Sequence, residues 1–151
     1  MIHKPESLNE IREELIRVYM SAYEGLEEYA YTKRSDIKRY INWLYNVDKN
    51  GIFIAKKSEQ IVGFIFFCHN WWDRIYGEIG EIHELAVIPE FQGKGIGKAL
   101  IQQAIGSMRR YHDIFGLWVG EKNIKAMNLY KKLGFFKKGK VGKWIRMIRK
   151  E

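Results

Sequence analysis

Residues Glu84-Leu85-Ala86-Val87-Ile88-Pro89-Glu90-Phe91-Gln92-Gly93-Lys94-Gly95-Ile96-Gly97-Lys98-Ala99-Leu100 join an apolar run to a glycine-studded turn and then to an amphipathic stretch. Pro89 has no N–H and biases Ile88 away from helical angles, which ends a strand there. Gly93, Gly95 and Gly97 allow a tight turn and bring bare N–H groups close to a ligand. Beyond them Ile96, Leu100, Ile101, Ala104, Ile105 and Met108 share one stripe of a 3.6-residue period, the mark of a helix lying on a sheet. The first turn of that helix offers unpaired amides and the positive end of its dipole, and Lys94 and Lys98 add charge. A junction of this kind suits the phosphates of a cofactor.

Two better-known phosphate loops fail on the letters. A dinucleotide fingerprint G-x-G-x-x-G begun at Gly93 meets Lys98 where glycine is required, and begun at Gly95 it meets Leu100. A nucleotide P-loop needs Gly-Lys followed by Ser or Thr, but Lys94 is followed by Gly95. What remains, Gln92-x-x-Gly95-x-Gly97 directly after a strand, resembles the acetyl-CoA pyrophosphate loop of the GNAT family of N-acetyltransferases. Some thirty residues on, Asn123-x-x-Ala126-x-x-Leu129-Tyr130-x-x-x-Gly134-Phe135 resembles the second hallmark of that family. The resemblance covers residues 51 to 149, and residues 1 to 50 share only a pair of helices with it. It implies the acyl-CoA N-acyltransferase fold, of class α/β (α+β): a mixed, mostly antiparallel sheet with helices on both faces, in one domain over residues 1–151.

The residue pattern around these motifs is consistent with that architecture. Ser7 with Glu10 reads as a capping box ahead of the stripe Leu8, Ile11, Leu15, Val18, Tyr19 and Ala22, so a helix is expected over about 8–24. Any strand before it must be short. Ser35 reads as the cap of a second helix, with Ile37, Tyr40, Ile41 and Leu44 on one face, ending near Asn50-Gly51. From Gly51 the period changes to strands at Ile52–Ala55, Ile61–His69 and about Tyr76–Val87, joined as antiparallel neighbours, with Asn70–Arg74 as the second link. Ile114–Val119 follows the central helix by a crossover and so lies parallel to its neighbour. A helix bounded by Asn123 and Gly134 and a closing hairpin, Phe135–Lys138 with Trp144–Arg149, complete the chain.

Composition narrows the function classes. The chain has 151 residues, 46% of them hydrophobic and 29% charged, enough to bury the core of one globular domain. The longest apolar run, Ile61 to Cys68, is too short to cross a bilayer, and Met1–Glu6 has no apolar signal core; a cytoplasmic compartment without membrane partners is expected. The single cysteine, Cys68, excludes an internal disulfide. His3, His69, His83 and His112 show no metal-ligand spacing, so no metal is expected. A net charge of +8 admits nucleic acid or an anionic cofactor, but no helix-turn-helix, RNP-type or zinc pattern accompanies it. A homodimer stays open.

Asn123 and Tyr130 stand seven residues apart, two helical turns, so both side chains face one way with the small Ala126 between them, and a narrow ligand fits along that face. The resemblance makes that ligand the pantetheine arm of acetyl-CoA. Asn123 then bonds its amides and Tyr130 protonates the departing thiolate. It also assigns Gln92, Gly93, Lys94, Gly95, Ile96, Gly97 and Lys98 to the pyrophosphate. The backbone of Leu85, Ala86 and Val87 is assigned to the pantetheine or the developing oxyanion. The acceptor amine must lose a proton. Family members commonly carry a base four residues before the apolar trio, which is Glu81 here, with Glu84 second and His83 third. Strict alternation puts Glu81, His83, Leu85 and Val87 on one face and Ile82, Glu84 and Ala86 on the other, unless a bulge intervenes. Trp118-Val119-Gly120 stands where relatives acting on protein N-termini carry a glutamate. The expected reaction is direct acetyl transfer to a primary amine in a ternary complex, and the glutamates favour a cationic one. A catalytically silent acyl-CoA sensor and a basic nucleic-acid-binding protein are the competing readings.

Overall fold

The change from helical to strand periodicity at Gly51 divides the chain into a helical prelude and a sheet. The computed structural model describes residues 1–151. A two-residue strand β1 (Ile2–His3) precedes α1 (Leu8–Ala22) and α2 (Arg34–Val47). Then come β2 (Ile52–Lys57), β3 (Gln60–Asp73), β4 (Gly77–Val87), α3 (Ile96–Met108), β5 (Ile114–Gly120), α4 (Ile124–Lys132), β6 (Phe136–Val141) and β7 (Trp144–Lys150). They form one seven-stranded sheet in the order β1-β2-β3-β4-β5-β7-β6. Every neighbouring pair is antiparallel except β4 and β5.

The two faces of the sheet are told apart by consecutive residues of β4. Glu84 reaches Tyr23 and Tyr40 on the α1–α2 side. Leu85 and Val87 point the other way, toward Gly97 at the start of α3. Helices therefore cover both faces, and β3 between them is buried from Ile61 through Cys68, as a continuous apolar strand requires. No helix is long and apolar enough to cross a membrane.

The parallel contact is short, and this creates the site. β4 and β5 pair only at Gly80–Phe115, Glu81–Gly116 and Ile82–Leu117. Beyond Ile82 the two strands diverge, β4 toward Val87 and β5 toward Gly120, leaving a wedge-shaped gap at their C-terminal ends.

Some local expectations are corrected. Ser7 occupies the N-cap of α1, but its side chain makes no cap bond, so the capping box is not formed; Ser35 lies inside α2, which starts at Arg34 after Lys33. Asn70–Asp73 is not a link but the continuation of β3, because an irregularity between Cys68 and Trp71 absorbs a residue and keeps the pairing with β4 alive to Asp73–Gly77. The strict alternation along β4 also fails. Phe66 pairs with Glu84 and Phe67 with Ile82, so His83 is an extra residue, and Leu85 and Val87 do not share a face with Glu81 in the simple way expected.

Candidate active site

The gap between β4 and β5 opens into a cavity of about 1460 Å³ that touches every segment singled out in the sequence. Its phosphate-sized end is the turn after β4. Gly93 and Gly95 adopt φ values of +76° and +88°, which an L side chain rarely takes, so the chain can turn with its amides outward. None of the N–H groups of residues 93 to 98 donates to another protein group. A run of free amides at the positive end of a 13-residue helix is an anion site by construction. Gln92 braces it: its Nε2 donates to the Val87 carbonyl at 2.9 Å and ties the loop to the end of β4. Gly93, Gly95, Gly97 and Lys98 line the cavity with Gln92. Lys94 and Ile96 do not, since the Lys94 ammonium lies over the Phe91 ring at 5.2 Å and Ile96 packs on the core.

Helix α4 supplies a second wall. Asn123 Oδ1 accepts the Ala126 N–H at 3.4 Å, so the predicted N-cap is made. At the other end Gly134, at φ +91°, lets Phe135 N–H reach the Tyr130 carbonyl and Gly134 N–H reach that of Lys131, a Schellman closure. With both ends fixed, Asn123, Ala126 and Tyr130 all line the cavity. Tyr130 is 7% exposed and its ring packs on Phe135 at 6.0 Å. Its hydroxyl has no hydrogen-bond partner within the protein, and burial, followed by the nearby Glu84 charge, raises its pKa above the ordinary phenol range.

The third wall is β4. Leu85, Ala86 and Val87 line the cavity, as does Glu84. The Glu84 carboxylate accepts the Tyr23 hydroxyl and, at 2.8 Å, the Tyr40 hydroxyl. Burial pushes its pKa up to about 7, and the two phenols and the Leu85 N–H restrain the rise. A carboxylate with a pKa near neutrality, facing a cavity, is suited to exchange protons. His83 sits beside it, wedged edge-on against Trp71 and Trp43 at 4.4 and 5.6 Å, and burial, then the Arg146 charge, lowers its pKa to about 4.

Glu81 is placed differently from the sequence expectation. It is 2% exposed and does not line the cavity. Arg146 grips both of its oxygens, at 2.7 and 2.9 Å, and also reaches Asp73 at 3.0 Å. Burial raises the Glu81 pKa against the lowering pull of that guanidinium. A bidentate buried pair of this sort holds structure, and Glu81 stands away from the cavity that an incoming amine would enter. The extra residue at His83 brings Glu81 and Glu84 onto the same face of β4, and what separates their roles is position along the strand: Glu81 lies in the part still paired with β5, Glu84 beyond it, within reach of Tyr23 and Tyr40.

Several lining groups were not singled out from sequence. Tyr23 and Tyr40 are the clearest, and a signal existed, because a tyrosine on an otherwise aliphatic helix stripe needs a partner for its hydroxyl when buried. Tyr29 is another. Its hydroxyl accepts the Lys122 N–H at 2.8 Å, and its ring lies so close to Gly120 that a Cβ there would come within 2.5 Å. Its other edge meets Trp144 at 5.4 Å, and Lys143 donates to the Glu28 carbonyl. The segment between α1 and α2 is thereby fastened to the end of β5 and to the β6–β7 turn, roofing the cavity with Tyr29, Tyr31, Trp118 and Trp144.

Set against known proteins, the Acetyltransferase (GNAT) family matches residues 8–135. An uncharacterized N-acetyltransferase of Archaeoglobus fulgidus is 41% identical over 120 residues, covering 78% of this chain and 82% of its own. Among solved structures, PH1933 from Pyrococcus horikoshii OT3 is 45% identical with a TM-score of 0.93, covering 100% of this chain and 98% of its own. The PaiA N-acetyltransferase of Thermoplasma acidophilum, solved in complex with coenzyme A, has a TM-score of 0.77 at 23% identity and covers 100% of this chain and 98% of its own, which shows a shared fold. With both hallmark motifs lining one cavity at the parting of β4 and β5, and with these likenesses, the chain belongs to the GNAT family of acetyltransferases.

Proposed function

We propose that this acetyltransferase takes acetyl-CoA as donor and transfers the acetyl group directly to a primary amine within a ternary complex, with Glu84 accepting the amine's proton and Tyr130 protonating the leaving thiolate. The observation that carries the reading is the meeting of two groups of opposite task on one cavity: a carboxylate with pKa near 7 and a partnerless phenol held protonated. The free amides of residues 93 to 98 bind the pyrophosphate, and Asn123 and Ala126 border the pantetheine arm. The backbone of Leu85 to Val87, no longer paired to β5, is available to the thioester. No serine or cysteine lines the cavity to carry the acyl group on the way, which favours direct attack. Aromatic rings and the carboxylates Glu24 and Glu28 on the acceptor side suit an amine that also carries positive charge or an apolar arm. A panel of primary amines with acetyl-CoA, read by free thiol release, tests the reading. Amine-dependent thiol release that falls in Glu84→Gln and in Tyr130→Phe is the expected result; tight CoA binding with no release from any amine would leave the chain an acyl-CoA sensor.

A further inference from the structure

A second constellation lies at the opposite end of α3 from the phosphate loop. His69 on β3 has its Nε2 2.7 Å from Ser107 Oγ and its Nδ1 2.7 Å from Asp48 Oδ2. Asp48 also accepts the backbone N–H groups of His69 at 2.8 Å and Asn50 at 3.0 Å, so its carboxylate is fixed from three directions. Burial raises the Asp48 pKa, yet these bonds outweigh it and bring the group below the usual range. The His69 and Asp48 side chains are 15% and 16% exposed, and the imidazole is flanked by the Phe67 ring at 5.2 Å and the Tyr111 ring at 5.7 Å. Ser107 lines a separate cavity of about 350 Å³ with Phe53, Gln102, Gln103 and Arg110. None of these residues borders the larger cavity.

We propose that Ser107, His69 and Asp48 form a second, hydrolytic site, in which Ser107 is the nucleophile toward small esters of short-chain acids. The nitrogens are used in the productive sense. An ionised Asp48 holds the proton on Nδ1, which leaves the Nε2 lone pair facing the serine hydroxyl. Ser107 Oγ then bonds to the ester carbonyl carbon as its proton passes to Nε2. Collapse breaks the bond to the alcohol, which departs with that proton. Water, giving its proton to the same imidazole, adds to the acyl-serine; the acid is released and Ser107 recovers its hydrogen. The site is built for modest rates. Ser107 lies inside α3, whose amides are spent on the helix, so the developing oxyanion is met by side-chain donors on the cavity wall, Gln103 and Arg110. Lacking a backbone donor costs about 10²- to 10³-fold in rate.

An irreversible label therefore reads the site better than turnover does. The full chain, incubated with a fluorophosphonate, should gain one phosphonyl group, and peptide mapping should put it on Ser107 rather than on Ser7, Ser21, Ser35 or Ser58. Saturating CoA should leave the labelling unchanged, since the two cavities are separate. Hydrolysis of 4-nitrophenyl acetate should fall about tenfold or more in Ser107→Ala and in His69→Gln, within the range that loss of a triad member produces, while Ser107→Ala keeps its melting temperature and its amine acetylation. Absence of label on Ser107 in the wild-type chain, or ester hydrolysis unchanged in a folded Ser107→Ala, overturns the proposal, and so does labelling that CoA suppresses. None of these outcomes bears on amine acetylation, so this test and that of the proposed function fail separately.

Discussion

Replacing Tyr40 by phenylalanine removes one oxygen atom and isolates what tunes Glu84. The Tyr40 hydroxyl donates to Glu84 Oε1 at 2.8 Å, and the ionised carboxylate gains more from that bond than the protonated one. A hydrogen bond to a charged group is worth about 1.5–3 kcal/mol. At about 1.4 kcal/mol per pKa unit this is a shift of about 1–2 units upward. The Glu84 pKa, already pushed to about 7 by burial, should then move clearly into the alkaline range. The lower end of the shift is expected, because water entering the space left by the hydroxyl replaces part of the bond. The assay is kcat/KM against pH with one accepted amine, in wild type and Tyr40→Phe side by side. Ionisation of the amine is common to both enzymes and cancels. The acidic limb of the profile should shift to higher pH by about a unit, with the plateau rate little changed, since the proton acceptor itself is intact. A limb that stays in place or moves to lower pH would refute the assignment of Glu84 as the proton acceptor tuned by these phenols.

Four further outcomes test the rest of the site. Glu84→Gln should remove the acidic limb and flatten stability against pH: with a folded pKa near 7 against an ordinary 4.5, the wild type binds its proton more tightly when folded, so its stability falls as pH rises from about 4.5 to 7. That loss is about 3 kcal/mol at 1.4 kcal/mol per unit, and melting curves of wild type and Glu84→Gln at pH 5 and 8 will show whether it disappears. Glu81→Gln should instead act mainly on the fold, by about 3 kcal/mol or more, because it leaves Arg146 buried with half its counter-charge; denaturant midpoints measure this, and a folded, equally stable variant would contradict it. Tyr130→Phe should lower turnover by about 10- to 1,000-fold with little change in CoA affinity, since protonating a thiolate acts only in the transition state. Gly95→Asp should abolish the rise in melting temperature that CoA gives the wild type, because it puts a negative charge and a side chain at φ +88° among the free amides.

The sequence by itself determined the elements, their kind, and the two motifs of the donor side. Each is written in local chemistry. The Gly93–Gly95–Gly97 turn after Pro89, the Asn123 cap and the Gly134 stop use residues whose conformational preferences hold wherever they stand, and Asn123, Ala126 and Tyr130 share a face because helical periodicity says so. The Ser7 reading held for the boundary of α1 but not for the side-chain bond, and the Ser35 reading failed for the converse reason: a serine near a helix start is a common arrangement, and packing of the helix decided the boundary of α2. Only the tertiary structure decided where the carboxylates of β4 stand. That Glu81 and Glu84 share a face depends on His83 being extra in the pairing of β4 with β3, and that only Glu84 reaches the cavity depends on the β4–β5 pairing ending at Ile82; register is settled between strands rather than within one. What each carboxylate can do was decided likewise by partners far along the chain. Arg146 neutralises Glu81 from 65 residues away, and Tyr23 and Tyr40 hold Glu84 from 61 and 44. A side chain's intrinsic acidity is local, but its burial and its hydrogen-bond partners exist only once distant segments have packed together.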